Sequence, residues 1–340
     1  MDSAGNVFKM PANVSQPNRI SFVFILAVVV LTGWLHLGPL LLAVLFSYFA
    51  ISKLHFLKAR GKWPAITLFI VLLAVAAYGL AFFVRATVAA LPAIAEKAVP
   101  AVIQWADAHQ IILPFTDLDS LKEQAVQMAH NEAKDIGKFA DFARGATTQF
   151  VYLSVGCLVA MGLFLNPRLE MDRPADEAKN NLYSLCCEEI GRRCATFYRS
   201  FAMVMNAQVT ISAINAALTA IFMAALGLPH LIVAVGVTFI CGLLPVVGNI
   251  LSNIVVVGIG FMISPAKGLG ALVFLVCIHH LGFFLNSKII GAKIRSPIWL
   301  TLLALVVGER LMGVTGMILS PVALHYIRIE AARITVKPNQ

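Results

Sequence analysis

Gln208, Ser212, Asn215 and Thr219 recur at i, i+4, i+7 and i+11 within an apolar stretch, which puts all four on one face of a helix. Amides and hydroxyls at that spacing either line a path for a polar solute or hydrogen-bond to a neighbouring helix. The second use is common in membrane proteins and contributes about 0.6 kcal/mol per residue. A further group follows at Pro245, Gly248, Asn249 and Asn253. A helix broken there exposes free N–H and C=O groups to a polar solute, with Asn249 and Asn253 one turn apart. His279 and His280 form the third feature, and as helix neighbours they point roughly 100° apart and cannot share one site. One imidazole titrating near neutrality would couple transport to protons; the alternative is a neutral histidine bonded to an adjacent helix. Glu309 is the remaining proton-coupling candidate, followed by Arg310 at a glycine-rich break. At membrane depth this pair needs partners, whereas at a hairpin tip it is an ordinary surface pair, the reading preferred here. Gly308, Gly313, Gly316 and Pro321 are the expected hinge of that segment.

The elements that carry these residues require a bilayer. Hydrophobic residues make up 59% of the 340 and charged residues 13%, and the mean hydropathy is +0.85, which excludes a soluble globular domain. A crossing helix needs about 20 mostly apolar residues to traverse roughly 30 Å of hydrocarbon. Segments 20–35, 37–52, 64–84, 147–165, 204–226, 230–245, 248–263, 266–286 and 298–327 meet or approach that requirement. The predicted fold is all-α, a polytopic helical membrane protein of about eight spans with broken or re-entrant hairpins and a small helical extramembrane domain. The first two segments meet at Gly33–Gly38–Pro39 in a tight hairpin. The pair 230–263, hinged at Pro245–Gly248–Asn249, is short enough to re-enter rather than cross twice.

Division of the chain follows from polarity. An N-terminal hairpin and third span occupy 1–85, an extracytoplasmic amphipathic helical domain 86–146, and a span 147–165. A cytoplasmic helical insertion occupies 166–203, a C-terminal transport core 204–327, and a tail 328–340. In the outer domain Leu118, Leu121, Ala125, Met128, Ile136 and Phe139 fall at helical spacing, with Thr116 or Asp117 able to cap the start. The inner insertion mixes both signs of charge and reads first as a connector with solvated faces.

Orientation follows from basic residues, which accumulate in short cytoplasmic loops. Lys53, Lys58, Arg60 and Lys62 form one acid-free loop, Lys288, Lys293 and Arg295 another, and Arg328, Arg333 and Lys337 lie in the tail. All three are cytoplasmic together if both termini are inside and 230–263 and 298–327 each return to their starting side. Segment 20–35 reads as an uncleaved signal anchor. The net charge of +9 is accounted for by topology and anionic headgroups, with no nucleic acid partner.

Six cysteines match no zinc spacing, and no metal or cofactor is expected. No GxSxG, phosphate loop or HExxH is present, so neither an enzyme nor an ATP-driven pump is predicted.

The order of LGLP at 226–229, LLPVVGN at 243–249, the polar pair at 279–280, KIIG at 288–291 and GxxxxGxxGxxxxP at 308–321 resembles the AI-2E transporter family. The resemblance implies a bacterial inner-membrane protein, homo-oligomeric (a pentamer among the arrangements), exporting a quorum-sensing signal of the autoinducer-2 type. It also implies an alternative, since relatives are reported as sodium(lithium)/proton antiporters. Departures from the family pattern weaken that alternative. Gly242 stands where an acid usually precedes the turn and Asn249 where a second proline is usual. His279 and His280 replace a QQ pair, and Ser287 replaces a proline.

The reading is therefore a secondary transporter of a small polar solute. Monovalent cation/proton antiport is the second hypothesis, and a non-transporting membrane scaffold is the third, from another class.

Overall fold

The computed structural model describes residues 16–58, 61–111, 138–166, 182–243, 247–285 and 297–333. These form helices α1 (Gln16–Trp34), α2 (Gly38–Lys58), α3 (Lys62–Ala108), α4 (Lys138–Leu165), α5 (Leu182–Ala225), α6 (Leu231–Gly242), α7 (Val247–Ile263), α8 (Pro265–Leu285) and α9 (Ile298–Ala332). No strand occurs among the described residues. Among the described residues six helices are long and apolar enough to cross a membrane, and 231–242, 252–263 and 265–278 are shorter apolar helices. The short helices coincide with the stretch where the sequence leaves crossing and re-entry open. At 1.5 Å per residue, α6 is about 18 Å long and α7 about 25 Å, both below the hydrocarbon thickness.

Three of the turns share one backbone hydrogen-bond pattern. After α5, Leu228 N–H donates to Met223 C=O at 2.9 Å and Gly227 N–H to Ala224 C=O at 3.2 Å. Gly227 has φ 59°. This pairing satisfies the orphan carbonyls at a helix end and needs one left-handed residue. The same bonds recur after α1, from Leu37 to Thr32 and His36 to Gly33, and after α3, from Ile111 to Ala106 and Gln110 to Asp107. There the left-handed residues are His36 and Gln110. The hairpin between α1 and α2 thus turns at His36 and not at either flanking glycine.

The chain divides into two compact units. The first comprises 1–66, 150–202 and 307–340. Within it Gly156 lies against the backbone of Ala43 and Val44, and the Cys157 and Ser47 side chains meet at 3.4 Å. The Phe46 and Phe49 rings both meet the fully buried Phe201 edge-on. Tyr48 meets Tyr198 edge-on at 4.7 Å.

The second unit comprises 67–149 and 203–306. Its core joins Ala90, Ile94 and Ala98 of α3 to Met223 of α5, Val233 and Ala234 of α6, and Val256 and Ile259 of α7. Gly260 lets α7 and α8 approach, since a Cβ there would lie 2.9 Å from the Lys267 carbonyl. Lys267 Nζ in turn donates to the Leu226 carbonyl at 2.7 Å, closing the end of α5.

Two helices run through the boundaries predicted from polarity. α3 continues from the third span to Ala108, with Ala90, Ile94 and Ala98 built into the core of the second unit. α5 begins at Leu182, inside the predicted inner insertion, and runs unbroken to Ala225. Of the predicted amphipathic outer helix, residues 112–137 lie outside the described residues.

Candidate functional site

The polar stripe of α5 is buried along its length in the second unit: Gln208, Ser212, Asn215 and Thr219 are each at most 9% exposed. Two of them converge on Gly242, the last residue of α6. Gln208 Nε2 donates to the Gly242 carbonyl at 2.6 Å. That carbonyl belongs to the group left without an intrahelical donor where a helix ends, so the amide supplies what the break removes. Ser212 packs on the other side of the same residue. A Cβ at Gly242 would lie 2.6 Å from Ser212 Oγ and 3.2 Å from its Cβ, so glycine alone permits this approach. Leu243 then turns, its N–H donating to the Ile240 carbonyl at 3.2 Å.

Ser212 has a further property. Its Oγ is buried and has no hydrogen-bonding partner. Helical hydroxyls ordinarily donate to the carbonyl one turn back. Thr32, Thr196, Ser200, Thr210, Thr238 and Ser320 do so at 2.7–3.0 Å. Ser212 is turned toward Gly242 instead.

The other predicted residues fall on α7, α8 and α9 or outside the described residues. Pro245 lies outside the described residues. Gly248 and Asn249 lie in the first turn of α7, the Asn249 side chain outside the described set, and Asn253 is buried one turn on. His279 and His280 are on α8. The His279 side chain is outside the described set, while that of His280 is exposed, its Nδ1 2.9 Å from the Val276 carbonyl. Glu309 and Arg310 are exposed, 3.9 Å apart, in the first unit.

The predicted hinge residues lie on α9, which folds back on itself. Met312 and Gly313 leave helical conformation, Gly313 at φ 59° and ψ −141°. Gly308 abuts the Gly316 backbone and Ser320. In a straight helix residues 308 and 320 would be about 18 Å apart, so contact between them requires the chain to reverse.

A cluster the sequence did not single out lies in the first unit. Arg193 Nη1 donates to Glu330 Oε2 at 2.8 Å, Nε to Ser21 Oγ at 3.0 Å, and Nη2 to Asn18 Oδ1. The guanidinium also lies 5.5 Å from the centroid of the Phe22 ring. The second Glu330 oxygen accepts from Arg333 at 2.9 Å, and Arg333 also donates to Thr196 Oγ1 at 3.2 Å. Three regions distant in sequence are thereby tied together. A hint was available in Asn18 and Ser21, polar residues one turn apart at the edge of the first apolar segment. Among the described residues no group of three His, Cys, Asp or Glu side chains is placed to hold a metal.

Long apolar helices, short apolar helices around a break, and a buried amide–hydroxyl stripe define a polytopic helical membrane protein. The sequence model of the AI-2E family transporter matches residues 20–331. The chain belongs to the AI-2E transporter family. A protein of Bacillus subtilis (strain 168) named "Putative transport protein YdbI" is 28% identical over 169 residues. The match covers 48% of this chain and 48% of that relative, about half of each.

Proposed function

We propose that this chain is a secondary transporter that exports a small neutral polar solute, with the α5 stripe and the α6–α7 break forming part of the path. The observation that carries the reading is the convergence of Gln208 and Ser212 on Gly242, where α6 ends. A buried helix end that is held by one side-chain amide can exchange that bond for one to a passing solute without stranding the carbonyl. Asn215 and Thr219 extend the same buried face, and Asn253 adds a polar group on α7. In this reading Pro245, Gly248 and Asn249 set the break, and His279, His280 and Glu309 are the groups to test for proton coupling. The transporter works as a homo-oligomer in a bacterial inner membrane. Autoinducer-2-like signals belong to the solute class the stripe suits, since amide, hydroxyl and carbonyl groups recognise hydroxyls without requiring charge.

The test uses purified protein in liposomes carrying an internal pH dye, with radiolabelled ribitol as the polyol. Ribitol flux above that of empty liposomes, lowered about tenfold by Gln208→Ala, is the expected result, one lost charge-free contact being of that order. Proton movement triggered by sodium or lithium, with no ribitol flux, would overturn the reading in favour of cation/proton antiport. Silence in both assays would favour the scaffold alternative.

A further inference from the structure

The geometry points to the Ser212–Gly242 crossing as a closed gate in the solute path, and to the Ser212 hydroxyl as the group that meets a hydroxyl-bearing solute when the gate opens. The inference rests on the transporter reading above. A buried hydroxyl without a partner is rare in native proteins and calls for a physical reason. Ser212 is fully buried, its Oγ is unpartnered, and the usual acceptor one turn back is left unused. Simple packing does not explain the choice, because alanine would fill the same place with no polar group to satisfy.

The neighbourhood supplies a reason. Ser212 Oγ faces Gly242, whose carbonyl is held by Gln208. One helical turn of α5 thus presents an amide, already engaged, and a hydroxyl, not yet engaged, to the terminus of α6. Separating α5 from α6 here would break the Gln208 bond and expose three groups at once: the amide, the hydroxyl and the Gly242 carbonyl. Together they offer donors and acceptors of no net charge, which suits a vicinal or polyhydroxylated neutral solute. The closed arrangement leaves one of the three unsatisfied, and the occupied arrangement satisfies all of them. The missing bond in the closed state therefore favours opening when such a solute arrives. Gly242 is required because a methyl group would press on Ser212 Oγ and hold the crossing apart.

Two measurements test this. In the first, Ser212→Cys is placed in a chain whose six cysteines are replaced by alanine, reconstituted, and exposed to a charged methanethiosulfonate reagent. Arg310→Cys, at an exposed site, serves as the reactive control. The expected result is that position 212 reacts slowly in buffer and about tenfold faster under a ribitol gradient, reflecting the loss of one neutral contact. A position 212 that stays unreactive in both conditions, while position 310 reacts, overturns the gate. In the second, Ser212→Ala is compared with wild type for ribitol flux and melting temperature. The expectation is a flux reduced about tenfold with melting temperature unchanged or raised, because the substitution removes an unsatisfied group. Flux equal to wild type overturns the role of the hydroxyl. If wild type carries no ribitol, the polyol reading fails. Reactivity at position 212 still decides whether the crossing opens: a reactive cysteine keeps the gate, and an unreactive one removes it.

Discussion

A guanidinium is tolerated in a protein interior only when its donors and its charge are both met, and Arg193 shows how this chain does it. Each of its three nitrogens donates to a different side chain, and Glu330, its counter-charge, is bonded at both oxygens. Exchange of such a pair for matched apolar residues is often neutral, but removal of one partner strands a buried charge at a cost of about 3–5 kcal/mol. Arg193→Ala and Glu330→Ala should each lower stability by about that amount, and Arg193→Met with Glu330→Leu should recover most of it. Thermal and urea unfolding of the detergent-purified protein measures this, and single variants within about 1 kcal/mol of wild type would show the pair to be effectively solvated. The cluster was not legible because Arg193 sits among Glu188, Glu189 and Arg192, a pattern that reads as a wet surface. Its partners Ser21 and Glu330 are 172 and 137 positions away. By contrast the α5 stripe was legible, since a 3.6-residue period is visible within one helix. What no periodicity can reveal is that two members of that stripe meet the end of α6.

At the scale of elements, the reversal of α9 depends on three glycines for two different reasons. Gly313 has open space around its Cα, so a side chain there meets no neighbour. Its φ of 59° and ψ of −141° nevertheless belong to a region that side chains rarely adopt, worth about 1–3 kcal/mol of strain. Gly308 and Gly316 are helical but lie backbone to backbone, and a Cβ on either would overlap the other. Gly313→Ala should therefore destabilise by about 1–3 kcal/mol through conformation alone, and Gly316→Val by at least a comparable about 1–3 kcal/mol through overpacking. Melting temperatures of the two variants provide the check. Gly313→Asn should lose as much as alanine, because asparagine's tolerance of positive φ belongs to the left-handed helical region and a ψ of −141° lies far outside it. An alanine at 313 with wild-type stability would mean that the reversal is made elsewhere. The glycines are visible in the sequence, but that Gly308 and Gly316 meet backbone to backbone is not. The continuity of α5 through Leu182–Ala225 was not announced, because a change from charged to apolar composition marks a change of surroundings, not the end of a helix.

At the scale of the whole chain, length and hydropathy were enough to fix the class, and contacts within the first unit now bear on topology. Asn18 near the start of α1, Arg193 of α5 and Glu330 near the end of α9 meet in one cluster. The two ends of the described chain therefore lie on one side of that unit. Lys62, at the start of α3, donates to the Leu165 carbonyl at the end of α4, at 2.8 Å. The start of α3 and the end of α4 thus lie on the same side as each other. Lys53, Lys58, Arg60 and Lys62 carry no intervening acid, the signature of a cytoplasmic loop. α3, at 47 residues, is about 70 Å long and far exceeds a hydrocarbon core of roughly 30 Å. Its far end should then emerge on the opposite face. Reporter fusions decide the matter. Green fluorescent protein after Gln340 or before Met1 should fluoresce in bacterial cells, while alkaline phosphatase joined after His109 should be active. Ends that report opposite sides would contradict the Asn18–Arg193–Glu330 cluster itself. Both ends outside would leave the cluster intact and invert only the assignment made from the basic loops, because the contacts fix which ends share a face and the charges fix which face it is.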